Sequence, residues 1–380
     1  MSALRVLLYV QHLLGIGHLA RMSHIATALK RHGLDPVLVT GGVPAPGFPP
    51  AGITHVALPP LKSSDGFRAL LTGDGAAASP AFLKARRDRL VSLLHSTKPQ
   101  LILIEAFPFG RRQMRFELLA LLEAARAMQP KPIIAASVRD IVQPLTKTGR
   151  EAEVLRTLKL YFDHVLVHGD PRLVRLADSF PAEARIAPPV SYTGLVTGGD
   201  IAPAPERFDV IVSAGGGAAQ GRLCQTALEA RALTPLVDRR WLVITGPNAP
   251  DGLTATLMSK LQDGDAVVPF RSDFPGLLAQ AQLSISQAGY NTCGDLLRTG
   301  CPAVLVPFAA GGEREQTLRA GRLAERGLAV TVDEASLDAR RLAEAIGRAV
   351  AGGRRSAAGI DLDGADRTAG LIKKAVGIRQ

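Results

Sequence analysis

The chain has 380 residues, 47% hydrophobic and only 4% aromatic, with 45 basic against 34 acidic residues and a net charge of +11. That length can bury the cores of two domains, and three cysteines without C-x-x-C or zinc-like spacing exclude a disulfide framework and a thiolate metal site, which fits a reducing, cytoplasmic setting. Few aromatics and no recognisable DNA- or RNA-binding module argue against nucleic acid. The basic excess then points first to nucleotide phosphates and second to an anionic membrane face, beside the bland reading of a solvated Arg-rich surface.

In chain order, the opening apolar run RVLLYV ends at Gln11 and His12 with no small-residue cleavage site, so it reads as a buried first strand rather than a signal peptide. No apolar stretch reaches the roughly 20 residues that span a bilayer. G-I-G-H-L-A follows, from Gly15 to Ala20, and then Met22, Ile25, Ala26 and Leu29 repeat at the spacing of one buried helix face. Gly15 and Gly17 thus turn the chain and deliver His18 to a helix start, where unpaired N–H groups and the helix dipole favour an anion. The string also fits G-x-G-x-x-A, but dinucleotide binding needs an acidic residue after the second strand. That strand, DPVLVT, ends in Thr40, Gly41 and Gly42. His18 is a candidate base, with a capping or packing histidine as the alternative.

Further unbroken apolar strands follow: LILIEA, ending near Glu105; PIIAAS, just before Asp140; HVLVHG; and then FDVIVS, RWLVITG, DAVVPF, LSIS and PAVLVP. Such runs separated by helices mark parallel sheets covered on both faces, here an α/β chain of two doubly wound domains. The segment GDGAAASP, from Gly73 to Pro80, is expected to be a mobile loop. The Gly- and Pro-rich stretch from Gly194 to Arg207 reads as a linker. With the boundary near residue 204, residues 1–203 and 204–380 form the two domains, the last helix being free to return to the first. The second domain repeats the glycine turn at Ala214 to Gly221, which includes Gly215, Gly216 and Gly217; Arg222 and Leu223 then exclude a Walker loop. Two D-x-D pairs, Asp263/Asp265 and Asp361/Asp363, fall before a strand and in the tail, so they read as turn residues; no metal and no cofactor are expected.

The segment from Leu283 to Gly327 carries S-x-A-G-x-N-T before a helix, an acidic residue inside that helix, G-x-P-A-V-L-V-P, and E-Q before another helix and a glycine. This order resembles the donor region of GT-B glycosyltransferases, especially the MurG-like members of family 28. V-P-F-R-S-D-F, from Val268 to Phe274, is similar to the family's base-binding loop, and the turn at Ala214 to its diphosphate loop. G-I-G-H-L-A-R is similar to the first glycine loop shared with UDP-sugar hydrolases of the fold. E-A-F-P-F-G-R-R (Glu105 to Arg112) and H-G-D-P (His168 to Pro171) resemble uncharacterised relatives rather than MurG itself.

The resemblance implies GT-B architecture: two Rossmann-like domains facing a cleft, with the acceptor on the N-terminal side and a UDP-type nucleotide diphosphate sugar on the C-terminal side. It implies that Asp295, in place of a glutamate, accepts the ribose hydroxyls. Ala288 and Gly289 would meet the diphosphate through backbone atoms, with Asn291 and Thr292 alongside. Glu315 and Gln316 would hold the transferred sugar, and Arg271 would face the base through its backbone with its side chain free. Helix capping, with Thr292 as N-cap and Asp295 three residues on, is the alternative for these polar residues. The expected chemistry is inverting and metal-independent transfer, with His18 as base and Glu105 and Asp140 in reserve. The acceptor is unnamed, with a lipid-linked one at the inner membrane face among the options. A nucleotide-sugar hydrolase and a non-catalytic binding subunit remain the rivals.

Overall fold

The computed structural model describes residues 4–377 apart from 14, 46, 64–68, 146, 216–219 and 247–248. The chain divides into two compact units, Met1–Val196 with Asp361–Gln380, and Thr197–Ile360. The first contains β1 (Arg5–Val10), α1 (Gly17–Arg31), β2 (Asp35–Thr40), β3 (Thr54–Ala57), β4 (Leu61–Ser63), β5 (Leu70–Thr72), α2 (Pro80–Thr97), β6 (Leu101–Glu105), α3 (Arg115–Ala127), β7 (Ile133–Arg139), α4 (Arg150–Tyr161), β8 (His164–His168) and β9 (Val190–Tyr192). Seven strands make one parallel sheet in the order β3-β2-β1-β6-β7-β8-β9, and β4 and β5 pair antiparallel beside it.

A strand buried on both faces feeds two cores by alternation. In β1, Leu7 and Tyr9 join Ile102, Ile104, Leu118 and Leu158 on one face. Val6, Leu8 and Val10 join Met22, Ile25 and Leu29 of α1 on the other. The last helix, α11 (Gly364–Gly377), follows the second unit in sequence but lies in the first, placing Ala365, Ala369, Ile372 and Val376 in that same α1 core. Asp366 near its start holds Arg31 at 2.6 Å and His32 at 2.9 Å. The segment Gly73 to Pro80 serves as a turn out of β5 and as the start of α2, where Ser79 Oγ accepts the Phe82 N–H at 3.2 Å.

The second unit contains β10 (Val210–Ser213), α5 (Gln220–Ala230), β11 (Trp241–Ile244), α6 (Leu253–Met258), β12 (Ala266–Val268), α7 (Phe274–Gln280), β13 (Leu283–Ser286), α8 (Tyr290–Thr299), β14 (Ala303–Leu305), α9 (Glu315–Glu325), β15 (Val330–Thr331) and α10 (Ala339–Ala351). Its parallel sheet runs β12-β11-β10-β13-β14-β15. Part of the Gly- and Pro-rich stretch, from residue 197 onward, packs on this unit: Gln280 Nε2 donates to the Ala204 carbonyl at 3.0 Å, and a Cβ on Gly276 would lie 2.3 Å from the Ala202 carbonyl. Among the described residues, no helix is long and apolar enough to cross a membrane. All three cysteines are free and buried.

Candidate active site

In an open parallel sheet the ligand crevice lies past the carboxyl ends of the strands, where the strand order reverses. In the first unit that point is between β1 and β6, which are paired through Tyr9 and Ile104. The loop after β1 enters α1, and β6 ends on Glu105. His18 and Arg21 stand three residues apart on α1 and therefore share a face. Both reach Glu105. His18 Nδ1 donates to Glu105 Oε1 at 2.5 Å, and Arg21 Nη2 donates to the same oxygen.

The electrostatics of this trio assign its protons. Glu105 is fully buried, which works to raise its carboxyl, but His18, Arg21 and Arg111 outweigh burial and hold it well below the carboxylate range. Burial lowers the His18 imidazole to about 3 against the opposing pull of Glu105, and Arg111 and Arg139 add to the fall. His18 is therefore neutral at pH 7, with its proton on Nδ1 facing the carboxylate. Nε2, which has no partner among the described residues, is the basic lone pair. With 17% of its side chain exposed, the ring is reachable from solvent. Gly15 beside it has open space, with nothing within 4 Å of a Cβ position.

The structure thus joins two of the three candidate bases into one unit. Asp140, the third, lies buried past the end of β7, where its Oδ1 accepts the Ile141 N–H at 2.9 Å. Arg21, Arg111 and Arg139 are the participants that sequence reading left out as site residues. Their signal was present: Arg21 completes G-x-G-H-x-x-R, and Arg111 and Arg139 follow or end apolar strands. A second buried network braces the strand ends. Arg86 Nε donates to Glu117 Oε2 at 2.6 Å and its Nη2 to Gln11 Oε1 at 2.6 Å, while the Tyr9 hydroxyl donates to Glu117. This network explains Gly41 after β2, since a Cβ there would lie 2.0 Å from Gln11 Oε1 and 2.2 Å from Arg86 Nη2.

In the second unit the strand order reverses between β10 and β13. The loops past these strands hold Gly215 and the run Gln287, Ala288, Gly289; Gly216 and Gly217 lie outside the described residues. Gly215 has φ +69°, and a Cβ would come within 2.9 Å of Gln287 Oε1, so glycine is required twice over. Helix α8 starts from Gly289 as N-cap, at φ −63° and ψ 151°, with no acidic residue in its first turn. Asn291 and Thr292 lie inside that turn. Thr292 is therefore not the N-cap, and its pairing with Asp295 as a capping box is excluded: the helix begins three residues earlier than the pattern implies.

One turn further along α8, the Asp295 carbonyl accepts from Thr299 Oγ1 at 2.8 Å, while its carboxylate has no hydrogen-bond partner among the described residues. Burial pushes its carboxyl up to about 7, with Arg298 pulling the other way. Three expectations change. The Ala288 N–H is not open to a diphosphate, because it donates to Gln316 Oε1 at 3.0 Å, and that oxygen also takes the Phe308 N–H at 3.1 Å. Gln316 thus pins the loop after β13 to the loop after β14. Glu315 accepts from Arg319 Nη2 at 3.0 Å, and Arg319 Nη1 reaches the Ala288 carbonyl at 3.0 Å. The Arg271 side chain is not free: Nη1 meets Glu206 at 2.7 Å, and Nε and Nη2 meet both oxygens of Asp273.

Of the D-x-D pairs, Asp265 accepts from the Trp241 and Gln262 N–H groups at 2.8 Å and pairs with Arg231. Asp361 accepts the Asp363 N–H at 3.0 Å and pairs with Arg367. Both are turn anchors.

Residues 210–361 match the glycosyltransferase family 28 C-terminal domain. Curated relatives include UDP-N-acetylglucosamine–N-acetylmuramyl-(pentapeptide) pyrophosphoryl-undecaprenol N-acetylglucosamine transferases. That of Rhodopseudomonas palustris is 34% identical over 119 residues, covering 30% of this chain and 32% of the relative. That of Brucella anthropi is 36% identical over 144 residues, covering 37% and 38%. The chain thus spans between about a third and two fifths of the length of the curated relatives it matches. Solved structures align along nearly the whole chain: the calicheamicin glycosyltransferase CalG4 with TM-score 0.58, 17% identity and coverage of 99% and 95%, and Acinetobacter baumannii MurG with 0.56, 14% and 99% of each. Residues 210–361 are accordingly a MurG-like glycosyltransferase family 28 C-terminal domain, set in a chain with the GT-B fold of two parallel sheets.

Proposed function

We propose that the protein is an inverting, metal-independent glycosyltransferase that moves a sugar from a nucleotide diphosphate sugar, of the UDP type, to a hydroxyl acceptor. The observation that carries this reading is the His18–Glu105 pair: a neutral imidazole held by a carboxylate through Nδ1, with Nε2 unengaged. In the proposed step Nε2 takes the acceptor hydroxyl proton as the oxygen attacks the anomeric carbon, the bond to the diphosphate breaks, and Glu105 stabilises the imidazolium that forms. The nucleotide diphosphate leaves with its charge met by backbone N–H groups at the start of α8 and the glycine loop after β10. Asp295 accepts the ribose hydroxyls, and Glu315 and Gln316 border the sugar.

The test is incubation of UDP-sugars with the protein and cell extract, in the presence of a chelator, with the anomeric configuration of the product read by NMR. Transfer with inverted configuration and chelator-resistant turnover are expected. Free sugar as the sole sugar product would make the protein a hydrolase, since the same base can activate water. A retained configuration, or chelator inactivation reversed by magnesium or manganese, would sink the mechanism.

A further inference from the structure

The entire net charge lies in one unit. The first unit has 28 Lys and Arg against 17 Asp and Glu, a surplus of +11, whereas in the second unit 17 of each cancel. Five of its arginines, Arg111, Arg112, Arg115, Arg139 and Arg150, stand at or past the ends of β6 and β7, on the same edge of the sheet as His18 and outside residues 210–361.

Two groups of arginines are present there. At the inner group, His18 and Arg21 both bond Glu105 through Oε1, and Arg111 feels that carboxylate electrostatically but makes no hydrogen bond to it. Arg111 spends Nε on the Gln11 carbonyl at 2.7 Å, and its two terminal nitrogens have no partner among the described residues. Burial lowers its guanidinium against the pull of Glu105, and Arg139 and Arg21 lower it further. A cation held among like charges in a partly desolvated place is stabilised by an incoming anion. At the outer group, Arg112, Arg115 and Arg150 all converge on the single carboxylate of Glu153.

We propose that the acceptor is an anion: a carboxylate or phosphate near its reacting hydroxyl binds the terminal nitrogens of Arg111 beside His18, while Arg112, Arg115 and Arg150 attract it. The inference rests on the reading of His18 as the acceptor base. Arginine suits the task, because its planar fork meets either oxyanion in bidentate fashion.

The test uses the full chain saturated with UDP, so that nucleotide phosphate loops are filled before a second anion is added. Inorganic pyrophosphate is titrated in one calorimetric arm and D-glucuronate in the other. Binding is expected in at least one arm, about tenfold or more weaker in Arg111→Gln and intermediate in Arg111→Lys, with UDP affinity unchanged. Pyrophosphate alone indicates a phosphorylated acceptor, and glucuronate alone a carboxylate-bearing one. Equal affinity in parent and Arg111→Gln, or no binding in either arm, would overturn the proposal. Because Arg111 also braces Gln11, the more exposed pair Arg112→Gln/Arg115→Gln is measured as well. Its anion binding should lose salt dependence, and an unchanged salt dependence would also overturn the proposal. Failure of UDP to bind would count against glycosyl transfer, yet the Arg111 comparison would still be readable.

Discussion

The two units share a doubly wound topology and a reversal point in the strand order, but they furnish those points with opposite materials. Past β1 and β6 the first unit sets ionisable side chains: His18, Glu105, Arg21 and Arg111. Past β10 and β13 the second sets glycines, backbone and a side-chain amide, with Gln316 joining two loops. One topology thus presents ionisable side chains at one reversal point and backbone groups at the other. The difference follows from the residues at and just past the strand ends, where polar groups can stand while the strand itself stays apolar.

The comparison breaks first at the ionic brace of the first unit. Glu117→Ala leaves Arg86 buried without its carboxylate and should cost about 3 to 5 kcal/mol of stability, read by denaturant unfolding. A loss under about 1 kcal/mol would mean that the network is incidental. Next comes the proton chemistry. His18→Ala should lower kcat by about 100-fold or more with donor KM nearly unchanged, since general-base help is worth that much. Glu105→Gln, which preserves shape and removes the charge, should also lower kcat while leaving donor affinity alone. Parallel losses in donor binding would instead mark both residues as scaffolding.

On the other side of the comparison, Asp295→Ala should weaken UDP binding by about 1 to 3 kcal/mol, the scale of a lost charged hydrogen bond. The parent adds a pH signature. With the carboxyl raised to about 7, its ionised, accepting form fades as pH falls, so UDP affinity should drop between pH 8 and 6 in the parent and stay flat in the variant. A flat parent profile would remove Asp295 from the ribose.

The last effect, small at neutral pH, sharpens the view of buried charge in the first unit. His168 is fully buried between Ser137 Oγ at 2.7 Å and Thr193 Oγ1 at 2.9 Å, and burial lowers it to about 3, with Arg21 adding and Glu105 opposing. Unfolding returns such an imidazole to its usual value near 6.5, so between that pH and about 3 the unfolded chain holds the extra proton. Stability should fall by about 1.4 kcal/mol per pH unit below 6.5 for each such histidine, and His168→Gln should reduce the slope by one proton. An unaltered slope in that variant would show that His168 titrates normally in the fold.

Some of this was legible in the amino-acid order alone. Runs such as RVLLYV and LILIEA carry enough unbroken hydrophobicity to announce buried parallel strands, and the glycines before α1 and α8 announce turns into helices. β3, β4 and β9 were not legible because THVA, LKS and VSY mix polar residues into short strands, and β5 and β15 because LLT and VT are too short to stand out. The reach of single side chains was not legible either. Arg271 appeared free until Glu206 and Asp273 closed on it, and Thr292 resembled a cap until the helix proved to begin at Tyr290.

What the sequence determined by itself is therefore the set of strands, the turns, and the chemical types placed at their ends, because periodicity and backbone preference act over a few residues. Tertiary structure alone decided which ends meet. His18 and Glu105 are 87 positions apart, and only the pairing of β1 with β6 brings the imidazole against the carboxylate. The same pairing buries Glu105 beside Arg21 and Arg111, and burial with those neighbours sets which of the two groups holds the proton.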